Sequence, residues 1–457
     1  MTIAETPESS EGQRNRFPLS ANLELFCIFD KGDDEGAFGP RHLVNLAWRV
    51  TGEIDVAVLQ AALDDVVVRN EILRTEVIRG DGDDYQRVLP PSRVDVQVID
   101  LSGDDDPRSR DERADSFINK VEYFELRAAD LPHIRAVLGR FDERDAVLVL
   151  LTHHTASDGY SMSVLIREIA ALYAQHKGFG PADLPEPVQY KEFSAWQQEE
   201  LAAENAERAR AYWRRKLDGA QTSMVATDQP DVPYRYAVHR QIFPPELATA
   251  AGNLAKALRA SPFMVLLAAF NVLWHKKTGD VDVVTPILSS GRGDPRFAEA
   301  VGPFFNLVPL RTDLSDNPAF SELVNRTRTT CLEAYAHDLP YAHIAAEAPD
   351  LNKPYEAGNL SACAFQSFQF PDLMEETTVG DLTYTEVRKR VESSSETSEI
   401  PNGIVFTLDL LPTGEIAAHA RYSKADFLEP TIEKLVGDYR EILALATTNP
   451  TIRLRDL

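Results

Sequence analysis

Three cysteines in 457 residues, Cys27, Cys331 and Cys363, are odd in number, far apart and set in apolar contexts. That excludes a disulfide framework and points to small buried thiols in a reduced, cytoplasmic protein. An apolar leader is missing too, since residues 1–16 are polar and do not read as a signal peptide. The longest nearly unbroken apolar run, 263–274, is too short to span a bilayer and contains Asn271. Basic residues are scarce: 47 Lys and Arg stand against 72 Asp and Glu, a formal net charge of −25. Such a surplus repels phosphate backbones and anionic headgroups, and the tightest basic runs, 214–216 and 388–390, are short and flanked by acids. Neither nucleic acid nor a membrane is expected as a partner. The common chemical signatures are also lacking. Without H-E-x-x-H or paired C-x-x-C no metal is expected. No G-x-S-x-G elbow is present, because Gly159-Tyr160-Ser161-Met162-Ser163 lacks the second glycine. No phosphate-cradling glycine loop exists either, so no tightly bound nucleotide cofactor is expected.

What is present is 44% apolar residues, enough for a substantial core, arranged as mixed strand and helix patterns. Residues 43–50 are β-leaning, and 55–69 place Val56, Leu59, Leu63, Val66 and Val67 at helical spacing behind a capping Asp55. A strand over 74–78 runs into an acidic turn at 80–84, and a second acidic loop follows at 103–106. Apolar runs 134–138 and 146–151, separated by the more polar 139–145, predict an antiparallel hairpin whose second strand is buried on both faces. After Gly159 the spacing of Met162, Leu165, Ile166, Ile169, Leu172 and Tyr173 predicts a helix, with Ser161 able to cap it. Two Gly and three Pro within 176–187 mark a linker, and the domain boundary is placed there, giving lobes 1–180 and 181–457. In the second half, a charged helix is expected over 202–217 and another over 246–258. Ser261-Pro262 starts a further helix ending at Gly279, a strand covers 281–288, and 404–411 and 416–422 form a hairpin.

One constellation carries chemistry. The buried strand delivers the chain into His153-His154-Thr155-Ala156-Ser157-Asp158-Gly159. Strand side chains alternate, so one histidine at most faces a given cavity. A neutral imidazole there can take a proton from an attacking amine or hydroxyl, an assistance worth about 10² to 10⁴ in rate. N–H groups opening the helix after Gly159 favour developing negative charge, and Gly159 supplies backbone freedom or close approach. Asp158 is either an orienting partner for a histidine or a buried structural acid, and its place four residues away favours the second, with Arg292 as the candidate cation. On periodicity alone, a pair of satisfied structural histidines stays open.

His153-His154-x-x-x-Asp158-Gly159 resembles the H-H-x-x-x-D-G motif of the condensation-domain superfamily, which includes the condensation domains of nonribosomal peptide synthetases and polyketide-associated acyltransferases. Other segments match in order. Pro18-Leu19-Ser20 resembles the opening P-L-S, 69–75 the R-H-E-x-L-R-T stretch, and 190–197 the Y-x-D-Y-x-x-W-Q stretch. Residues 262–269 and Ser290-Gly291-Arg292 are similar to the helix and G-R of the peptide-synthetase branch, 301–306 resembles G-x-F-x-N, and Asp338-Leu339-Pro340-Tyr341 resembles D-V-P-F. Asn70, Glu192 and Leu307 depart from the pattern without touching the histidines, and no D-F-G-W-G is found.

The resemblance implies an α/β fold of two chloramphenicol-acetyltransferase-like lobes forming a V-shaped pseudo-dimer with a central tunnel. It implies His154 as the residue acting in catalysis or placement, His153, Asp158 and Gly159 as the rest of the motif, and Asp158 with Arg292 as a structural pair. Peptidyl or acyl carrier proteins, bringing substrates on phosphopantetheine arms, are the implied partners. The expected reaction joins a carrier-held acyl or aminoacyl thioester to an acceptor amine or hydroxyl, giving an amide or ester. Transfer to a free small-molecule alcohol or amine, or a non-catalytic docking role, are the alternatives. With no room in 457 residues for adenylation or carrier domains, a free-standing enzyme is expected. Carrier proteins are generally acidic, so docking has to rest on local basic and apolar patches.

Overall fold

The computed structural model describes residues 15–457 except 81–83, 104–105, 229–231, 233–234, 369–373 and 401–402. The expected acidic turns at 80–84 and 103–106 therefore lie largely outside the described residues.

The first lobe opens on helix α1 (Ala21–Ile28), capped by Ser20 accepting from Leu23 N. It continues through β1 (Leu43–Thr51), α2 (Val56–Arg69), β2 (Asp95–Asp100), α3 (Arg110–Val121), β3 (Ile134–Asp142), β4 (Asp145–His153) and α4 (Gly159–His176). β4 pairs antiparallel with β1 and β3 on its two sides. One of its faces, Ala146, Leu148 and Leu150, packs under α2 and α4, and the other, Val147, Val149 and Leu151, packs under α3. Near-continuous apolar character is what such a two-sided burial demands. The hairpin turn is shorter than the polar stretch 139–145 suggested. Gly139 and Phe141 stay in β3, because Gly139 lets Leu101 and Phe117 close over the strand and Phe141 is buried against α3.

After α5 (Tyr190–Ala202) the second lobe is built from β5 (Tyr236–Phe243), α6 (Pro262–Thr278), β6 (Asp282–Ser289), β7 (Asn306–Asp313) and β8 (Leu360–Phe368). Then come β9 (Thr377–Val379), β10 (Leu382–Glu386), β11 (Ile404–Leu410), β12 (Ile416–Ser423) and α7 (Glu429–Thr448). The charged helix expected over 202–217 begins at Glu204, with Ala203 breaking it from α5. The second sheet runs β7-β6-β8-β11-β12-β5, with Met224–Ala226 added beside β8. Its core face carries Phe365, Phe406, Ala418 and Ala420 against Phe270 and Trp274 of α6 and Tyr439 of α7. α6 is apolar nearly all round because it is buried, and among the described residues no single helix is long and apolar enough to cross a membrane.

The chain does not keep to a division at 180/181. The β9–β10 hairpin leaves the second half and pairs β10 with β1, from Thr383↔Thr51 to Glu386↔Trp48, completing the first sheet as β9-β10-β1-β4-β3-β2. Without it β1 would be an open edge with unpaired backbone groups. α5, too, belongs by packing to the first lobe, where Tyr190 and Phe193 meet Phe297 and Phe304.

Candidate active site at the seam between the lobes

The histidine motif sits where β4 ends. His153 is fully buried, with Nε2 donating to Gly39 O at 3.1 Å and Nδ1 accepting from Thr155 N at 3.2 Å. Thr155 Oγ1 lies 2.8 Å from the same Nδ1. Both ring nitrogens of His153, expected among the catalytic residues, are thus engaged within the protein. His154 is half-buried, and its Nδ1 lies 2.9 Å from Ser157 O. A carbonyl only accepts, so Nδ1 carries the proton and Nε2 keeps its lone pair. Among the described residues Nε2 has no hydrogen-bond partner. The ring stands between Phe305 and His42, each at a centroid distance of 4.8 Å, with Phe26 of α1 at 6.1 Å.

These surroundings keep the imidazoles neutral. Burial lowers His154 below the ordinary imidazole range against the opposing pull of Asp158, and pushes His42 down to about 3 and His133 to about 4. A neutral His154 with a free Nε2 can accept a proton or orient an N–H or O–H. The cysteines offer no rival nucleophile, since burial raises Cys27 and Cys331 to about 12.

Asp158, not Ser161, is the N-cap of α4, and its Oδ1 accepts from Ser161 N at 2.8 Å. Of the N–H groups at this helix start expected to favour negative charge, that of Ser161 is thus already taken by a carboxylate of the protein. Gly159 opens the first helical turn beside it. Asp158 Oδ1 also meets Ser161 Oγ at 2.8 Å and Arg292 Nη2 at 3.2 Å, and Oδ2 accepts from Phe304 N at 3.1 Å. Arg292 spends Nη1 on Phe297 O and Ala300 O and lies 4.0 Å over the Phe304 ring. Asp158 and Arg292 are therefore brought together as one buried network tying α4 to residues 291–304.

Several participants act through contacts that the sequence does not show. Asn22 donates to Pro303 O and Phe305 O, Ser161 Oγ donates to Gly302 O, and Gly302 lets Tyr190 lie where a Cβ would come within 2.0 Å of its ring. Gly291 is likewise required, with φ +63° and its Cβ position 1.7 Å from Phe304 O. Across the seam, Arg240 and Arg390 pair with Glu122 beyond α3, and Arg390 also pairs with Asp115. Against the penalty of burial these cations hold Glu122 down to about 2. Among the described residues no group of three or more His, Cys, Asp or Glu is arranged to hold a metal.

A family model described as the condensation domain matches residues 41–457. The chain belongs to the condensation-domain family. This condensation domain is 30% identical over 415 residues to one of the linear gramicidin synthase proteins of Brevibacillus parabrevis, covering 88% of the chain but 8% of that protein. Its structure is similar to that of the SgcC5 protein from Streptomyces globisporus, solved with (R)-(-)-1-(2-naphthyl)-1,2-ethanediol and sucrose. That match has a TM-score of 0.91, 39% identity, and coverage of 95% of this chain and 100% of that one. The first condensation domain of the calcium-dependent antibiotic synthetase shares the fold, with a TM-score of 0.77 at 19% identity over 97% of this chain and 98% of that one. The two-lobed mixed α/β architecture is thus that of condensation-domain structures.

Proposed function

We propose that the chain catalyses condensation of an acyl or aminoacyl group, held as a thioester on a carrier protein, with an acceptor amine or hydroxyl. The observation that carries the reading is His154, a neutral imidazole with a free Nε2 at the seam between the lobes. A thioester is already activated, so the enzyme has to align two groups and manage one proton. As the nucleophile attacks the thioester carbon, its N–H or O–H proton passes to, or is oriented by, His154 Nε2. The C–S bond then breaks and the carrier thiol leaves with a proton. Asp158 and Arg292 keep the His154 loop against residues 291–304, and His153 fixes the strand end. Phosphopantetheine arms bring the substrates and no resident cofactor is required. The setting is cytoplasmic, and the product is a secondary metabolite of the antibiotic kind.

A second reading takes a free alcohol as acceptor and forms an ester. It is favoured by the 39% identical relative, which is matched over its whole length and was solved with a vicinal diol. The chain spans 8% of the gramicidin synthase protein, so the reactions of that assembly are not carried over as such. The test is to incubate the chain with an acyl-loaded carrier protein and either a carrier-bound amine or 1-(2-naphthyl)-1,2-ethanediol, and to read the products by mass spectrometry. Amide from the first mixture supports the main reading, and ester from the second supports the alternative. Stable carrier binding with no product from either would make the chain a docking relative.

A further inference from the structure

The face of the second sheet that looks across the seam carries charge. Along β12, Ala418, Ala420 and Tyr422 enter the core under α6 and α7, so Ala417, His419 and Arg421 stand on the opposite face. Strand register sets Arg421 between Val405 of β11 and Val238 of β5, and His419 between Thr407 and Arg240. The neighbouring cations are taken: Arg240 and Arg390 by Glu122 and Asp115, and Arg388 by Glu386 at 3.2 Å and Asp409 at 3.9 Å. Arg421 differs. It is half-buried, and among the described residues it has no hydrogen-bond or ion-pair partner. Its charge reaches the first lobe, where, after burial, it is among the influences holding down His154, and it adds to Arg240 and Arg390 in lowering Glu122. On its own sheet it joins Arg388 in opposing the rise that burial imposes on Asp409.

A protein with 72 acids has no shortage of carboxylates, yet among the described residues none is paired with this guanidinium. A planar fork of N–H donors, partly shielded from water, matches a carboxylate better than any neutral group and repels an ammonium. We infer that Arg421 is a carboxylate-recognition residue at the seam between the lobes, pairing with an anionic group carried by the acyl donor or by the acceptor. This deepens the proposed function and rests on the seam being the place where the two substrates meet. It predicts selection of acidic substrates over their neutral counterparts.

Calorimetry on the full chain tests it with two matched pairs of probes. On the acceptor side the pair is 2-naphthylglycolate and 1-(2-naphthyl)-1,2-ethanediol, and on the donor side it is the succinyl and pentanoyl thioesters of N-acetylcysteamine. The anionic member of at least one pair binds about tenfold tighter or more, and which pair it is identifies the source of the carboxylate. In Arg421→Gln that preference falls below about twofold while the neutral member binds as before, and Arg421→Lys, which keeps charge but not the fork, retains part of it. Absence of an anionic preference in both pairs would overturn the assignment, as would a preference that persists in Arg421→Gln. Binding is read without carrier protein or turnover, so failure of this inference and failure of the condensation reading are separate results.

Discussion

Replacing Arg292 with Ala leaves the Asp158 carboxylate buried at 4% exposure without its guanidinium. Arg292 Nη2 reaches Asp158 at 3.2 Å and Ser161 Oγ at 2.9 Å, and Nη1 reaches Phe297 O at 2.8 Å and Ala300 O at 2.7 Å. Removing one side of a buried pair costs about 3 to 5 kcal/mol, because the remaining charge is neither solvated nor matched. Asp158→Asn is milder in charge but turns an amide N–H₂ toward Phe304 N, now 3.1 Å from Oδ2, or else toward Ser161 N on the other side. At about 2 to 4 °C per kcal/mol for a lobe of roughly 200 residues, Arg292→Ala should lower Tm by about 6 to 20 °C. Scanning calorimetry reads this directly. The Asp158→Asn/Arg292→Gln double variant should lose less than the sum of its single variants, since both act on one network. Unchanged melting for both single variants, with turnover lost, would refute the structural pairing and make Asp158 a group that acts on substrate.

Three further outcomes are expected. His154 is held below the ordinary imidazole range, so its base form persists as pH falls, and the acid limb of turnover should lie below about pH 6.5 with a flat profile through neutrality; a limb centred above that value would contradict this. Gly302→Ala places a Cβ within 2.0 Å of the buried Tyr190 ring and should cost about 1 to 3 kcal/mol or more, whereas Gly252→Ala, with nothing within 4 Å, should be neutral or stabilising; equal unfolding midpoints would refute the close packing. Burial pushes Glu386 up to about 7, so the folded chain holds that proton more tightly than the unfolded one, and the resulting stability is full below about pH 4.5 and lost as pH rises through about 7. Glu386→Gln should therefore gain on the parent by up to about 3 kcal/mol in urea unfolding at about pH 8 and by much less at about pH 5; no pH dependence in the difference would contradict the raised value.

Local periodicity makes the frame legible. The uninterrupted apolar run of β4 announces two-sided burial, and the spacing from Met162 to Tyr173 announces α4. The motif residues and Arg292 are legible because they interrupt that periodicity with polar groups at element ends, and the geometry then joins Asp158 to Arg292. His153 has the same signal in sequence as its neighbour, and only the Gly39 carbonyl and the Thr155 bonds show that its nitrogens are spent. Ser161 reads as a cap because it precedes the first apolar residue, although Asp158, three residues earlier, reaches its N–H. What stays hidden depends on contacts across more than a hundred residues. The approach of Gly302 to Tyr190, the Glu122 pairing with Arg240 and Arg390, and the return of β10 to β1 leave no periodic trace.

The proposed role of His154 is to serve acyl transfer from a carrier-held thioester. A single-turnover reaction with an acyl-loaded carrier protein and its acceptor, run on the parent and on His154→Ala, tests it most directly. Product is expected from the parent and a rate lower by about 10² to 10⁴ in the variant, with carrier binding and Tm unchanged. Product formed by His154→Ala at the parent rate would contradict it.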